Sequence, residues 1–347
     1  MRGWRDTMIS AGFATFRATS LHRLLAPVTR GRGAILMFHH ICPPDTRSFA
    51  PNRLLEITPQ FLSEVIALVR LRGFEIVTMD EALLRLADNN SHPFAVLSFD
   101  DGYRDNFHHA LPVLKLQSAP FTLYITTGFA DRTARLWWRE LEAAVRMIDG
   151  FWLQAGGRQT FLTARTDAEK TIAFDRAYWL LRSLPETEML AEIARLCGLA
   201  GVDGAALVEA ACLDWAGVET MAREPLCTIG VHTLSHPMLA KHDAAMMERE
   251  MAESRAIIAD RTGQPARHFS YPVGDPASAG EREFAMAQKL GFASAVTTRP
   301  GMILPAHASR LTALPRLSVN GKWQDIGMVD VLLSGAPFAL MHAGRAA

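Results

Sequence analysis

Short apolar runs alternate with helical stretches along most of the chain, beginning near residue 34. The runs AILMF (34–38), FEIVT (74–78) and FAVLSF (94–99) are continuous enough to be buried strands. Each run is followed by a segment with helical periodicity. Strands that alternate with helices are joined by right-handed crossovers, so this pattern predicts a parallel sheet.

The alternation stops between about residues 129 and 225 and then resumes. The interrupting segment reads as helical throughout and carries five of the seven tryptophans. Five further apolar runs flank it, which are APFTLYITT (119–127), LCTIGVH (226–232), RHFSYP (267–272), ASAVTT (293–298) and LPRLSV (314–319). About eight parallel strands, with a helical insertion after the fourth, favour an α/β fold of the irregular (β/α) barrel type. Its catalytic residues belong at the C-terminal ends of the strands.

The predicted organisation has five parts along the chain. They are an N-terminal basic amphipathic segment (1–33), the first part of the barrel (34–128), the helical insertion (129–225), the second part of the barrel (226–320) and a C-terminal tail (321–347). An insertion at this place would cover the mouth of the barrel as a lid. We therefore expect it to influence specificity.

The N-terminal segment has six arginines and one acidic residue, and its larger apolar side chains fall at roughly helical spacing. Arginine dilutes the apolar content too much for a secretion signal. Two interpretations stay open. Residues 1–32 could form an amphipathic helix that contacts an anionic membrane surface, or a helix that packs against the domain and exposes its arginines.

Composition argues against several classes of protein. The formal net charge is zero, which indicates no nucleic-acid partner. No run of eighteen apolar residues predicts a membrane-spanning helix. The four cysteines are scattered without a Cys-x-x-Cys pair, so neither a cysteine zinc site nor a disulfide framework is expected. These features predict a cytoplasmic location, with peripheral contact at the inner membrane face as a further expectation.

Carboxylate and imidazole side chains directly follow several predicted strands. His39 ends the first strand, Asp100 and Asp101 follow the third, and His232 and His236 follow the fifth. One carboxylate with two imidazoles is a ligand set that suits Zn²⁺ or another divalent transition ion. The His-x-x-x-His spacing would put both imidazoles on one face of a helical turn. Either motif alone is weak, but the ends of barrel strands converge at one mouth.

At these positions the sequence resembles the NodB-like polysaccharide deacetylases, which form carbohydrate esterase family 4. SFDDGYRDN and GVHTLSHP are similar to the two signature motifs of that family, and AILMFHH and YPVG resemble further parts of it. The resemblance implies metal-dependent removal of acetyl groups from N-acetylated, sometimes O-acetylated, sugars. It thus implies an acetylated carbohydrate of the cell envelope as the substrate.

The resemblance also implies roles for individual residues. Asp100 would be the general base, and Asp101, His232 and His236 would bind the metal, for which Zn²⁺ is the expected ion. The backbone N–H of Val273 would stabilise the oxyanion. These roles explain the two adjacent carboxylates, because a carboxylate that is bound to metal cannot also accept a proton freely.

The third motif departs from the family pattern, because Ser270 stands where many members carry an arginine that orients the base. Arg316 either reaches the same place or caps a strand end at the surface. His39 is the candidate for proton handling or substrate contact, with a structural histidine as the alternative. Tyr271 and Trp138 are predicted to contact substrate, since Trp138 and its neighbouring tryptophan cannot both face one core. No residue stands out as the general acid.

Two other functions stay open. Related barrels hydrolyse non-peptide C–N bonds in small cyclic molecules, and a catalytically silent barrel could bind carbohydrate without turnover. The missing arginine at Ser270 supports the silent barrel, whereas a complete set of metal ligands and a base argues against it.

Overall fold

The computed structural model of the chain describes residues 12, 13, 15, 16, 18–88 and 91–343. Within these residues lie twelve strands, which are β1 (Gly33–Phe38), β2 (His40–Ile41), β3 (Glu56–Ile57), β4 (Glu75–Ile76), β5 (Phe94–Phe99), β6 (Phe121–Ile125), β7 (Gly150–Ala155), β8 (Arg158–Thr163), β9 (Cys227–Val231), β10 (His268–Ser270), β11 (Ser294–Pro300) and β12 (Leu314–Ser318).

Besides the helical residues 12, 13, 15, 16, 18 and 19, fourteen α-helices lie in the same described part of the chain. They are α1 (Leu21–Thr29), α2 (Pro59–Leu71), α3 (Met79–Ala87), α4 (Leu111–Leu116), α5 (Thr127–Ala130), α6 (Trp137–Met147), α7 (Asp167–Ser183), α8 (Glu186–Ala200), α9 (Gly204–Ala211), α10 (Trp215–Ala222), α11 (Ala244–Thr262), α12 (Glu281–Lys289), α13 (Ile326–Leu333) and α14 (Ala336–Ala343). A π turn (Asn106–Ala110) precedes α4, and short 3₁₀ turns lie at Pro51–Leu55, Leu239–Lys241, Pro305–Ser309, Leu311–Ala313 and Gly321–Trp323.

Seven parallel strands close into a barrel, which confirms the predicted fold class. Their order is β1-β12-β11-β10-β9-β6-β5, and the pairing of β5 with β1 along its whole length closes the ring. β4 pairs only with Phe94 and Ala95, the first two residues of β5. The last three residues of β5 pair along the same edge with β6. The run FEIVT (74–78) is therefore not an eighth barrel strand, because β6 occupies the rest of that edge.

The barrel elements end where their sequences indicate. Every residue of β1 and β5 is buried, as continuous apolar runs predict for strands covered on both faces. Helix α2 begins at the side chain of Thr58, which accepts a hydrogen bond from the N–H of Phe61. Helix α11 begins at the Asp243 cap and stops at Gly263, whose φ of 70° suits glycine. Caps of this kind fix where each helix begins and ends, and the chain then continues into the next strand.

The insertion between β6 and β9 is not helical throughout, so that prediction is wrong. β7 and β8 form an antiparallel hairpin whose turn is Gly156-Gly157, with φ of 55° and 73°. A two-residue turn with positive φ at both positions matches the twist of a hairpin, and glycine adopts it readily. Burial alternates along β7, where Phe151 and Leu153 are buried and Trp152 is exposed. Alternation of this kind is the pattern of a strand.

The insertion builds an apolar cluster that continues into the mouth of the barrel. Trp137 and Trp138 both belong to it, with their rings 5.6 Å apart at 89°. The expectation that the two could not share one core is therefore wrong. Trp137 stacks on Tyr178, while Trp138 lies against His236 at 4.9 Å. The cluster includes Phe129, which follows β6, so the insertion is packed onto the barrel.

The segment that the sequence marks as a C-terminal tail is folded onto the barrel. It contains α13 and α14, whose Val329, Leu333 and Phe338 are buried in the same apolar cluster as the barrel strands. Asp330 of α13 accepts hydrogen bonds from Arg72 and from residues of α1. The prediction of a tail is thus corrected, because α13 and α14 cover apolar surface of the barrel.

Part of the N-terminal segment, including Trp4 and Met8, lies outside the described residues. Helix α1 packs against the domain through the buried side chain of His22, while Leu24 and Val28 are exposed. Contact of residues 1–32 with a membrane surface therefore stays a prediction. Within the described ranges, no helix has both the length and the apolar content that crossing a bilayer requires.

Candidate active site

Asp100 and Asp101 follow β5 directly, at the C-terminal mouth of the barrel, and both are buried. Asp101 has a φ of 71° and Gly102 a φ of 69°, so the chain turns sharply after the strand. Positive φ is uncommon outside glycine and persists where surrounding structure holds it. The Asp-Asp-Gly sequence therefore forms a turn, and it also places two carboxylates at one point.

The structure brings the three predicted metal ligands together. One ligand atom each from Asp101, His232 and His236 lies within 4.8 Å of the others. The Nε2 atoms of both imidazoles lie 3.3 Å from Oδ1 of Asp101, and all three side chains are buried. A carboxylate and two imidazoles in a closed group are a donor set for a divalent transition ion.

The chemistry of this group fits a bound cation. Nδ1 of His232 lies 2.7 Å from the carbonyl oxygen of Ser270, which can only accept, so in the neutral ring the proton lies on Nδ1 and Nε2 keeps a lone pair. Oδ1 of Asp101 is buried and has no hydrogen-bond partner among the described residues. A buried carboxylate oxygen that faces an imidazole lone pair is unfavourable unless a positive charge lies between them.

The loop that carries the two histidines is not the helical turn that their spacing suggests. Thr233 and His236 have φ values of 67° and 61°, and the N–H of His236 donates to the Thr233 hydroxyl. Glu250 of α11 accepts hydrogen bonds from the N–H groups of Leu234 and Ser235 and from the Ser235 hydroxyl. The loop is therefore fixed by a buried carboxylate that the sequence analysis missed.

Arg316 reaches the carboxylate of Asp100 and is fully buried. Its Nη1 and Nη2 donate to Oδ1 and Oδ2 of Asp100 at 2.8 and 2.7 Å. The remaining donors go to the Thr297 carbonyl, the Ser98 hydroxyl and the Ser270 hydroxyl. The serine in the third motif therefore makes room for a guanidinium that comes from another strand and accepts a hydrogen bond from it. Arg316 is not a surface residue that caps a strand.

The surroundings of Asp100 and of His39 determine which of the two side chains is charged. Burial alone would raise the pKa of Asp100, but Arg316 and then His232 outweigh it and hold that pKa below its usual value. Burial lowers the pKa of His39, whose Nε2 lies 4.0 Å from Oδ2 of Asp100. His40 points the other way, with Nδ1 2.6 Å from a carboxylate oxygen of Asp105. Near neutral pH Asp100 is thus an ionised carboxylate beside the neutral imidazole of His39.

A cavity of about 580 Å³ opens above these residues. The predicted site residues that line it are His39, Asp100, Asp101, Trp138, His232, His236 and Val273. Val273 has a φ of 61°, which is unusual for a β-branched residue. Tyr271 does not line the cavity. Its hydroxyl donates to the Thr312 carbonyl, and its ring packs on Phe284, so the prediction that Tyr271 contacts substrate is wrong.

The model of the polysaccharide deacetylase family matches residues 87–295, which is more than half of the chain. The chain belongs to the polysaccharide deacetylase family. The predicted resemblance is therefore confirmed, and so is the enzyme class, a hydrolase that acts on carbon–nitrogen bonds other than peptide bonds. Membership also implies an acetylated polysaccharide as the class of substrate.

Solved structures of deacetylases share the fold at low sequence identity. The Streptococcus pyogenes deacetylase PplD in complex with acetate is 17% identical, with a TM-score of 0.57, covering 86% of this chain and 97% of that one. A polysaccharide deacetylase from Bacillus cereus is 15% identical, with a TM-score of 0.54 and coverage of 86% and 68%. IcaB from Ammonifex degensii is 17% identical, with a TM-score of 0.52 and coverage of 88% and 97%. No curated protein matches the chain.

This deacetylase also has cavity residues that its motifs do not predict. Asp175, Tyr178, Trp179 and Arg182 reach the cavity from α7 of the insertion, and Asp275 reaches it from the loop after the third motif. The only indication in the sequence is the richness of the insertion in tryptophan. The face of α7 that lies against the barrel depends on how the insertion packs onto it. The local sequence pattern does not determine that packing.

Proposed function

We propose that this deacetylase is a metal-dependent hydrolase that removes acetyl groups from N-acetylated, and in some cases O-acetylated, sugars of a cell-envelope polysaccharide or glycolipid, and that it releases acetate. The main support for this proposal is that Asp101, His232 and His236 meet beside Asp100 in one cavity. The two adjacent carboxylates have separate partners and suit separate tasks. Asp101 would hold the ion, and Asp100 would accept and return a proton.

Asp101, His232 and His236 would hold the ion, and Zn²⁺ is the ion that this donor set suits best. When bound, such an ion polarises the acetyl carbonyl and lowers the pKa of a water molecule. His232 is prepared as a ligand, because the Ser270 carbonyl fixes its proton on Nδ1. Glu250 supports His236 by holding the backbone of the loop that precedes it.

Asp100 is the residue that accepts a proton from the attacking water. The bidentate pair with Arg316 keeps its carboxylate ionised and fixes its plane. Each carboxylate oxygen accepts one hydrogen bond from the guanidinium, so each keeps capacity to accept from water. The free-energy cost of burying the charged Asp100 carboxylate is thus offset by Arg316. Arginine stays charged, so it does not exchange a proton with Asp100.

Two further groups complete the chemistry. The backbone N–H of Val273, in the left-handed turn at the cavity wall, would donate to the oxygen of the acetyl group as negative charge develops on it. The sugar amine must gain a proton as the C–N bond breaks. Protonated Asp100 can return the proton taken from water to the amine directly, or it can transfer it to the neutral imidazole of His39, 4.0 Å away, which then gives a proton to the amine.

The form of the cavity supports a sugar as the substrate over a small cyclic amide. A volume of about 580 Å³ lies within the range of roughly 300–1,000 Å³ that small-molecule sites occupy. Leu54 and Trp179 line it while 50% and 43% exposed, so its mouth carries apolar surface in contact with solvent. Such a mouth suits one unit of a longer chain, which enters while the rest of the chain stays outside.

Acetate release from a panel of acetylated glycans and lipid-linked sugars, with and without a chelator, tests this proposal. We expect release from at least one glycan, its loss with chelator and its return when Zn²⁺ is added. The Asp100→Asn variant controls for a contaminating esterase and should release none. Turnover of a cyclic amide without acetate release, or sugar binding by metal-loaded protein without release, would contradict the proposal and favour the other two functions.

A further inference from the structure

We infer that helix α7 forms a second sugar subsite beside the catalytic centre, built on the indole of Trp179, so that the enzyme recognises at least two linked sugar units. This inference rests on the proposed function and specifies the size of its substrate. Thr171, Asp175, Trp179 and Arg182 all line the cavity. Their spacing of four, four and three places them along one face of α7, so a single helix supplies a continuous wall.

Trp179 differs from the two tryptophans that pack near the catalytic ion site. Trp137 and Trp138 are 3% and 6% exposed, whereas Trp179 is 43% exposed although it lines the cavity. A large aromatic surface left in water at the mouth of a cavity is unfavourable unless a ligand covers it. The apolar C–H face of a sugar ring stacks on such an indole, and its hydroxyls stay in water.

The indole is held in place. The guanidinium carbon of Arg182 lies 5.0 Å from the centre of the Trp179 ring and 5.7 Å from the centre of the Tyr178 ring. Nη2 of Arg182 donates to Oδ2 of Asp275 at 2.8 Å, and the arginine side chain is 9% exposed. Tryptophan, arginine and aspartate thus form a chain of contacts that orients the ring before any sugar arrives.

The subsite is also tied to the catalytic loops. Asp275 lies two residues after Val273, on the loop that would stabilise the oxyanion. Nζ of Lys241, from the segment after His236, donates to the carbonyl oxygens of Arg182 and Leu184 at 2.6 Å. The C-terminal end of α7 is therefore attached to both barrel loops that form the catalytic centre. These contacts fix the second sugar position relative to the catalytic centre.

Kinetics on N-acetylated hexosamine monomer and tetramer test the subsite, with Trp152 as the matched control. Trp152 belongs to the same insertion and is 55% exposed, but it lies on the hairpin and does not line the cavity. We expect Trp179→Ala to raise KM for the tetramer about tenfold, as loss of one aromatic stack would. Its kcat/KM for the monomer and the kcat for the tetramer should change less than about twofold. Trp152→Ala should leave all three values unchanged.

Two results would overturn the inference. If Trp179→Ala leaves KM for the tetramer unchanged, the indole binds no sugar. If it lowers kcat equally on monomer and tetramer, Trp179 shapes the catalytic centre and not a second position.

Equilibrium binding separates failure of this inference from failure of the proposed function. Tetramer is titrated into the full chain and into both variants by calorimetry, which needs no turnover. A wild-type protein that releases no acetate but binds tetramer at least fivefold more tightly than Trp179→Ala would support the subsite and contradict the deacetylase proposal. Equal affinities for wild type and Trp179→Ala would contradict the subsite whatever the activity.

Discussion

Arg316 and Asp100 lie 216 positions apart in the chain and meet in a buried bidentate ion pair, with Nη1–Oδ1 and Nη2–Oδ2 distances of 2.8 and 2.7 Å. The pair joins the strand end that follows β5 to β12, two elements separated around the ring only by β1. An arginine in β12 therefore orients the Asp100 carboxylate, whereas the third motif has Ser270 in place of an arginine.

Replacement of Arg316 by methionine should lower the free energy of unfolding by about 3–5 kcal/mol, because Asp100 would remain as a buried charge without its partner. Adding Asp100→Asn should restore part of this loss, since a neutral amide needs less compensation. Urea denaturation of the two single variants and the double variant measures the coupling. Lys289→Met, which breaks an exposed pair with Glu248, is the control and should cost less than about 1 kcal/mol. A coupling near zero would contradict the account of this pair.

If Asp101, His232 and His236 hold a metal ion as proposed, Glu250→Gln should weaken its binding about 10–100-fold, because Glu250 fixes the loop that carries His236 and is not itself one of the three ligands. Competition with a chromogenic chelator measures the affinity directly. Glu248→Gln lies on the same helix in an exposed pair and should leave the affinity unchanged. Equal affinities for wild type and Glu250→Gln would show that the hydrogen bonds of this carboxylate do not position the ligand.

The barrel and the meeting of Asp101, His232 and His236 can be predicted because each depends on local sequence. A strand covered on both faces reads as a continuous apolar run, and these three residues follow such runs. The Gly156-Gly157 hairpin could also have been found, since alternating residues flank its turn, but helical patterns on both sides obscured it. The sequence does not decide whether Arg316 reaches Asp100 or lies at the surface. Closure of the barrel determines which strands become neighbours, and the local sequence does not show this. Tyr271 was wrongly predicted for the same reason, since the inward or outward direction of its side chain depends on strand register.

Asp330→Asn should lower stability in a pH-dependent way. Burial would raise the pKa of Asp330, but hydrogen bonds from Arg72, His22 and Arg23 outweigh it and bring the pKa to about 2, against an ordinary value of 3.8. A lowered carboxyl pKa contributes stability that is complete above pH 3.8 and is lost as pH falls through 2. The difference in free energy of unfolding between wild type and variant should be about 1–2 kcal/mol at pH 7 and smaller at pH 3. A difference that stays constant between pH 7 and pH 3 in urea titrations would contradict this.

Leu24→Ser with Val28→Ser should reduce binding to anionic vesicles if the N-terminal segment contacts a membrane surface. Both side chains are exposed on α1, at 78% and 82%, so their replacement should not affect folding. Leu116→Ser with Leu199→Ser alters two other exposed leucines, at 87% and 63%, and is the control. Co-sedimentation with vesicles measures the bound fraction, and the same fraction for both double variants would rule out membrane contact through this helix.

The most direct test measures the metal content of purified wild type, Asp100→Asn and Asp101→Asn together with their acetate release. If Asp101 holds the ion and Asp100 moves the proton, wild type and Asp100→Asn should each contain about one equivalent of divalent metal. Asp101→Asn should contain less than about a tenth of an equivalent, given ordinary affinities of such sites. Acetate release should be lost in both variants. A full equivalent of metal in Asp101→Asn, or its loss from Asp100→Asn, would contradict the assignment of the two carboxylates.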